Sequence, residues 1–275
     1  MRGTTNRKAF EVYLVGERRY SAISKKDMQI SRKSFERATK LDPTFARAWG
    51  WRAYCHVRSI KIGWLPKNEL RRAIEWARCG VALNPDDYST HWDLAYCLTM
   101  TKDLKQALKS FKTALYLYDN FTDMLVRKPG LFAEMADAYV QIGKPREAIK
   151  LFRRATRVPD WYRWNYSWAY FHAGDYENAI RQLDAMDLRP GHKLYVIEIQ
   201  LFAAAAYAKL AEQLAKQRDP VESSKMLQRS KEAITRLKTA NPNVTLETAR
   251  KRFGGLSRKS GENRWLGALR KAGLR

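Results

Sequence analysis

Aromatic side chains recur four residues apart in this sequence, a spacing that places both members of a pair on one face of an α-helix. Trp92 and Tyr96 form one pair, and Trp164 and Trp168 form another. Exposed aromatic rings are common anchors for bound peptides and proteins. We therefore predict a partner-binding face, whose residues are Tyr54, Trp92, Tyr96, Trp161, Trp164, Trp168 and Phe171.

Two arginines near these rings, Arg47 and Arg163, predict the chemistry of the ligand. A guanidinium group attracts carboxylates, so we expect a peptide or protein partner that is acidic. The same spacing also fits rings that pack between neighbouring helices. The sequence does not decide between these two interpretations.

A second cluster, made of basic side chains near the C-terminus, predicts contacts with anionic groups. Basic groups combined with aromatic rings bind phosphates and stack the bases of single strands, so nucleic-acid binding through the terminal regions is the alternative function. The other interpretation of this tail is a cover for the last helical repeat. The residues predicted for anion or nucleic-acid contact are Arg250, Lys251, Arg252, Arg258, Lys259, Arg264, Arg270 and Lys271.

The net charge is unusual for a chain of this length. The 275 residues hold 52 Lys and Arg against 28 Asp and Glu, which gives a formal charge of +24. Residues 1–40 carry +7 and residues 216–275 carry +11, so the 175 residues between them carry only +6. This distribution favours anionic partners at the two ends, but it also fits a surface that keeps a helical protein soluble.

The sequence gives little support for catalysis or metal binding. The phosphate-binding loops of nucleotide enzymes are absent, and the three cysteines, Cys55, Cys79 and Cys97, have no C-x-x-C spacing. We predict a non-enzymatic protein with no cofactor and no metal. The four histidines are also scattered without metal-ligand spacing: His56, His91, His172 and His192.

No segment has the pattern of a signal peptide or of a membrane span. The N-terminus lacks an uninterrupted apolar stretch, and the most apolar segment, 195–211, is too short and contains Glu198 and Lys209. We therefore expect a cytoplasmic protein without membrane insertion.

The helices that must position these residues follow a repeated pattern. The pattern is a small residue, a large residue four positions later and a small residue three positions after that, at intervals of 31 to 54 residues. Small residues let two helices approach closely, and the large residue fills the space beside them. The copies are Ser31/Phe35/Ala38, Ala73/Ala77/Gly80, Ala107/Phe111/Ala114, Ala148/Phe152/Ala155, Ala179/Leu183/Met186 and Ala233/Leu237/Ala240.

A second helix precedes each copy of this pattern, as in 131–143, where Met135, Ala136 and Tyr139 lead to Gly143 and Pro145. Glycine suits the end of one helix and proline the first turn of the next. These helix pairs resemble the tetratricopeptide repeat. The resemblance implies an all-α, right-handed superhelical solenoid of five to six helix pairs over 1–240, with a basic two-helix cap over 241–275.

A closer resemblance lies in the stretch that begins "AFEVYLVGERRY" and in the closing "RWLGALRKAGLR". Both are similar to the repeat regions that follow the catalytic domain of bacterial class III adenylate and guanylate cyclase-like proteins, and to some winged-helix regulators. The repeats begin almost at Met1, so we expect no cyclase activity. In the tail we predict helices over 246–253, capped by Thr245, and over 262–272.

Together these patterns predict a scaffold or regulatory adaptor that binds a peptide or protein through a concave aromatic face. The first helix of each pair lines that face in such solenoids. Self-association, with the tail of one copy in the groove of another, is also compatible with the sequence.

Overall fold

The computed structural model describes residues 3–20, 24–101, 103–121, 129–154, 160–186, 196–253 and 259–275, with side chains except at 121, 129, 160–162, 196, 252–253, 259–260 and 262. Every regular element within these ranges is helical. A short 3-10 helix, Lys67–Glu69, precedes α4. The α-helices are α1 (Arg7–Tyr20), α2 (Lys25–Leu41), α3 (Ala46–Lys61), α4 (Leu70–Leu83), α5 (Tyr88–Leu98), α6 (Leu104–Phe121), α7 (Pro129–Gln141), α8 (Pro145–Arg154), α9 (Asp160–Ala173), α10 (Tyr176–Asp184), α11 (Val196–Lys216), α12 (Pro220–Ala240), α13 (Leu246–Phe253) and α14 (Lys259–Lys271).

Successive helices pack as hairpins within two compact units, Met1–Val126 and Arg127–Arg275. The first unit contains three pairs, α1 with α2, α3 with α4 and α5 with α6. The second contains three more pairs, from α7 to α12, followed by α13 and α14. The predicted all-α fold of paired helices is thereby confirmed. The predicted division into domains at residue 240 stays a prediction, since the two units separate within the repeats.

In three places the first helix of a pair contacts the first helix of the next pair within its unit. This contact joins α3 to α5 in the first unit, and α7 to α9 and α9 to α11 in the second. Side chains that point from these helices toward their neighbours therefore share one face of each unit, and ring contacts between first helices place Tyr54, Trp92, Tyr96, Trp164 and Trp168 on this face.

Small residues of the repeated pattern lie where the helices of a pair approach most closely. Ala107 and Ala148 are fully buried. A Cβ atom added at Gly80 would lie 3.0 Å from the carbonyl oxygen of Ala46, so α4 approaches the backbone of α3 more closely than most side chains allow. Most small positions of the pattern are buried in the same way, although Ala240 is exposed and Ala155 lies outside the described residues.

Large residues of the pattern fill the space that the small residues leave. Phe35, Phe111 and Phe152 are almost completely buried. A Cβ atom at Gly16 of α1 would lie only 2.7 Å from Cζ of Phe35. The hydroxyl of Ser31 donates a hydrogen bond of 2.9 Å to the carbonyl oxygen of Gly16, which fixes α1 against α2 beside that ring.

The turns between helices follow the predicted chemistry. Gly143, between α7 and α8, has a φ of +76°, a conformation that glycine adopts at little cost. Thr245 caps α13, because its hydroxyl accepts a 3.2 Å hydrogen bond from the amide of Thr248. The last helix differs from the prediction. It begins at Lys259 rather than at residue 262, because polar residues taken for a loop continue its first turn.

The longest helices do not have the composition of membrane spans. The first of them, α11, has 21 residues and includes Glu198. Across the described ranges, no helix is both long and apolar enough to cross a membrane.

We expect Ala148→Leu to lower the free energy of unfolding by about 1–3 kcal/mol, because the added methylenes have no space between α7 and α8. Chemical denaturation followed by circular dichroism measures the change. Arg146→Leu introduces the same side chain at an exposed position of α8 and serves as the control, with a change within about 0.5 kcal/mol. Equal effects of the two substitutions would contradict the proposed role of Ala148.

Candidate partner-binding surfaces

The aromatic residues of the first unit form a column along α1, α3 and α5. Tyr54 is central, since its ring stacks on Tyr96 with 4.2 Å between centroids and meets Tyr20 edge-on at 5.8 Å. Trp92 lies 6.4 Å from Tyr54. We call Tyr20, Tyr54, Trp92 and Tyr96 the aromatic column.

The column depends on a close approach of α3 and α5. A Cβ atom at Gly50, one turn before Tyr54, would lie 2.2 Å from Oδ2 of the buried Asp93, so a larger residue would separate the helices. This approach brings Tyr54 and Tyr96 into stacking distance. It also buries them, leaving side chains only 4% and 5% exposed, respectively. Trp92 remains partly exposed. Of the two interpretations that the sequence left open, Tyr54 and Tyr96 fit packing between neighbouring helices, and partner binding on this face stays a prediction.

Two basic side chains lie over the rings of the column. The guanidinium carbon of Arg58 is 5.2 Å from the centroid of Tyr20, and Nη1 of Arg58 donates a 2.7 Å hydrogen bond to the Tyr20 hydroxyl. The ammonium of the exposed Lys61 is 5.8 Å from the centroid of Tyr96. Our sequence analysis missed both residues. Their positions, four and seven residues after Tyr54, place them on the same helix face and were the available signal.

Arg47, one of the arginines predicted to attract an acidic ligand, has an internal partner instead. Its Nε donates a 2.5 Å hydrogen bond to Oδ2 of Asp87, whose other oxygen caps α5 through the amide of Ser89. Burial raises the pKa of Asp87, but the hydrogen bonds and charge of Arg47, together with Ser89, outweigh burial and lower it. Arg47 therefore ties α3 to the start of α5. The other arginine, Arg163, donates to Gln182 of α10 at 3.3 Å.

Aromatic residues of the second unit form another cluster, on α9 and α11. The indole of Trp164 stacks on Phe202 at 5.8 Å, and Trp168 is 4.7 Å from Phe202 and 6.1 Å from Phe171. Trp168 and Phe171 are only 4% and 3% exposed, whereas Trp164 is partly exposed. The side chain of Trp161, predicted to extend this face, lies outside the described ones.

The last helix covers part of this cluster. Trp265 of α14 is fully buried, and its ring meets Trp168 edge-on with 5.4 Å between centroids. The sequence analysis did not single out Trp265. It is the only aromatic residue after Phe253, and Ala268 and Leu269 follow three and four positions later, so an amphipathic helix with one aromatic anchor was detectable.

A partly exposed histidine, whose Nε2 atom is buried, lies beside the same rings. His172 is 4.1 Å from Trp168 between ring centroids, and its Nε2 has no hydrogen-bond partner. Burial, with a smaller contribution from the positive charge of Arg264 on α14, lowers the pKa of His172 to about 3. The imidazole is therefore neutral at physiological pH.

The basic residues of the tail whose side chains are described lie at exposed positions, and two of them form ion pairs. Arg250, Arg264 and Arg270 are exposed. Lys251 pairs with Glu247 at 2.7 Å, and Lys271 pairs with Glu212 at 3.2 Å. Exposed pairs of this kind contribute little stability. The prediction of phosphate contact is untested by this arrangement. Of the remaining members, Arg258 lies outside the described residues, and the side chains of Arg252 and Lys259 are not described.

The side chains that could bind a metal ion, those of His, Cys, Asp and Glu, are dispersed through the described parts of both units. In these parts, no group of three or more His, Cys, Asp or Glu residues is arranged to hold a metal ion. Cys55 and Cys97 are buried, and Cys79 is exposed. Burial raises the pKa of the Cys55 thiol to about 12, so it is un-ionised at neutral pH.

Comparison with known proteins identifies the class to which these helix pairs belong. Residues 134–192 match the family model of the tetratricopeptide repeat. No curated protein matches the sequence. The segment 134–192 thus matches the tetratricopeptide repeat, and the paired helices of the chain have the fold of tetratricopeptide-repeat proteins.

Solved structures support this fold. YrrB, a TPR protein with an unusual peptide-binding site, is 17% identical with a TM-score of 0.51, over 80% of this chain and 98% of that one. PilF of Pseudomonas aeruginosa is 13% identical with a TM-score of 0.55, over 86% and 96%. TTC0263 of Thermus thermophilus, a thermophilic TPR protein, is 21% identical with a TM-score of 0.50, over 64% and 88%. At these identities the likeness shows the fold alone.

We expect Asp87→Asn to lower the free energy of unfolding by about 1–3 kcal/mol at pH 7, because asparagine still caps α5 but cannot neutralise Arg47. The pKa of Asp87 lies below its ordinary 3.8, so this contribution is present above that pH and is lost as the pH falls through the folded-state pKa. Denaturant titrations from pH 7 to pH 3 test both statements. Glu11→Gln breaks the exposed pair with Arg7 and is the control, with a change below about 1 kcal/mol.

We expect the second unit to lose stability as the pH falls from 7.5 to 5.5. Between pH 3 and 6.5 the unfolded chain protonates His172 and the folded chain does not, so the free energy of unfolding falls by about 1.4 kcal/mol as the pH falls from 7.5 to 5.5. His172→Leu removes that contribution. Unfolding curves at several pH values compare the two proteins, and parallel pH profiles would show that His172 titrates normally when folded.

Proposed function

We propose that the protein is a non-catalytic interaction scaffold and that the first unit binds an acidic peptide or a protein segment along its aromatic column. The observation that carries this proposal is the pair of cations, Arg58 and Lys61, over rings of the column next to the partly exposed Trp92. An extended ligand would contact the indole and place its carboxylates against these cations.

Physical arguments support an acidic ligand on this surface. An aromatic ring beside a cation offers two contacts to a ligand: the ring packs on an apolar side chain, and the cation attracts a carboxylate. Aromatic side chains are rigid, so they lose little conformational entropy on binding. The net charge of +24 also accelerates encounters with acidic partners. The tetratricopeptide-repeat fold supports a protein or peptide ligand, as does the peptide-binding site named for YrrB.

Cysteine chemistry supports a reducing compartment for this function. The three thiols are free, and two of them are buried. Structural disulfides are rare in reducing compartments, so we place the scaffold in the cytoplasm.

A peptide library displayed on phage, selected against the full-length protein, tests the proposal. We expect the selected sequences to be rich in Asp and Glu and to contain an apolar or aromatic residue. Binding of the selected peptides is then measured by fluorescence anisotropy. Lys61→Glu and Trp92→Ala should each weaken it by about tenfold or more, the loss of one anchor residue.

Lys112→Glu on the exposed side of α6 is the matched control, because it makes the same charge change in the same unit away from the column. If this variant weakens binding as much as Lys61→Glu, the effect is general electrostatics and the site is wrong. A fluorescent single-stranded oligonucleotide, titrated at about 50 and 200 mM salt, tests the alternative. Tighter binding of the oligonucleotide than of every selected peptide, lost in Arg250→Glu, would favour nucleic acid.

A further inference from the structure

The last helix is seated on the second unit as a bound helix would be. It packs against α11, and its fully buried Trp265 contacts Trp168 of α9 and Phe202 of α11, at 5.4 and 6.2 Å between ring centroids. We call the surface formed by Trp168, Phe202 and Glu212 the α9–α11 groove. Trp168 was predicted from sequence as a partner-binding residue, and here the chain's own C-terminal helix contacts it.

The pattern of α14 is that of a helical ligand with one aromatic anchor. Ala268, Leu269 and Ala272, which lie three, four and seven residues after Trp265, are all buried. These positions share one helix face with Trp265, whereas Arg264 and Arg270 on the other side are exposed. Proteins that bind a helix in a hydrophobic groove contact apolar residues at this spacing.

Charge complements this apolar contact at the C-terminal end of the helix. The ammonium of Lys271 lies 3.2 Å from Oε1 of Glu212 on α11, and Lys209 pairs with the other oxygen. Burial raises the pKa of Glu212, but hydrogen bonds from Lys209 and Lys271 outweigh burial and lower it. The groove therefore offers a carboxylate to a basic group six residues after the aromatic anchor.

We propose that the α9–α11 groove is a recognition site for a basic amphipathic helix of the pattern W-x-x-A-L-x-K, and that α14 is its resident ligand. A partner that presents this helix competes with α14 for Trp168, Phe202 and Glu212. A tethered segment acts at an effective concentration on the order of millimolar, so α14 suppresses binding until it is weakened or outcompeted. This site differs from the aromatic column in its unit and in the charge of its ligand, and the proposal does not depend on the function proposed for the column.

A fluorescent peptide of residues 259–275 is the probe, and the full-length chain is the receptor. Trp265→Ala weakens the resident helix without changing the groove. Because an intact peptide then competes against a weakened tethered helix, we expect it to bind the variant at least about tenfold more tightly than the wild type. A peptide carrying Trp265→Ala should bind neither protein.

Reversing the charges of the Lys271–Glu212 ion pair provides a second test, which changes no residue of the apolar core. Lys271→Glu in the full chain places two carboxylates together and should also raise the affinity for the wild-type peptide. In the chain carrying Glu212→Lys, a peptide carrying Lys271→Glu should bind more tightly than the wild-type peptide does. Circular dichroism verifies that the variants keep the helical content of the other helices, and Lys271→Glu serves alone if Trp265→Ala unfolds the chain.

Equal binding of the wild-type peptide to the wild type, to Trp265→Ala and to Lys271→Glu would overturn the proposal. Binding of the peptide that carries Trp265→Ala would also overturn it. The same holds if the wild-type peptide binds neither the Trp265→Ala chain nor the Lys271→Glu chain. In those cases α14 is only a structural cover for the last repeat. If the Trp265→Ala or Lys271→Glu chain forms concentration-dependent dimers and the peptide dissociates them, the α9–α11 groove binds the helix of a second copy, which would support the proposal.

Discussion

The close approach of paired helices is the constraint on which the rest of this structure depends. A tetratricopeptide hairpin closes only where side chains are minimal, and here the limit is reached at Gly80, which lies against the backbone of α3, and at Gly16, which lies against the ring of Phe35. At Gly16 the contact fixes the position of Phe35. The approach of successive first helices, as Gly50 permits between α3 and α5, determines the environment of the side chains on the face that they share.

That environment explains why the aromatic residues are mostly buried. The four-residue spacing that places Trp92 with Tyr96, or Trp164 with Trp168, on one face of a helix also directs them at the neighbouring first helix. Gly50 lets α5 approach α3, so Tyr54 and Tyr96 stack and are lost to solvent. Trp92 and Tyr20 stay partly exposed and Lys61 is exposed, and these side chains define the surface on which the proposed peptide would lie.

Both units carry aromatic residues on the face that their first helices share, but the charged groups beside these residues differ. In the first unit, cations over tyrosine rings favour a carboxylate-bearing ligand. In the second, Trp265 and Lys271 of α14 meet Trp168 and Glu212, so the aromatic face already holds a basic helix. In our proposal, the helix that covers the last repeat is also the competitor of partner helices. Its contacts combine one buried indole with one exposed ion pair, an arrangement that a matching helix can reproduce.

The sequence by itself determined the helix pairs, their small and large positions and several of their ends, because these depend on local spacing and on the conformational limits of residues such as Gly143 and Thr245. It did not determine which aromatic residues are exposed, that Arg47 binds Asp87, or that Trp265 covers Trp168. Those outcomes depend on contacts between residues that are 34 to 97 positions apart, and periodicity along one helix carries no information about which neighbour it meets. Burial and pairing were decided only when the helices packed.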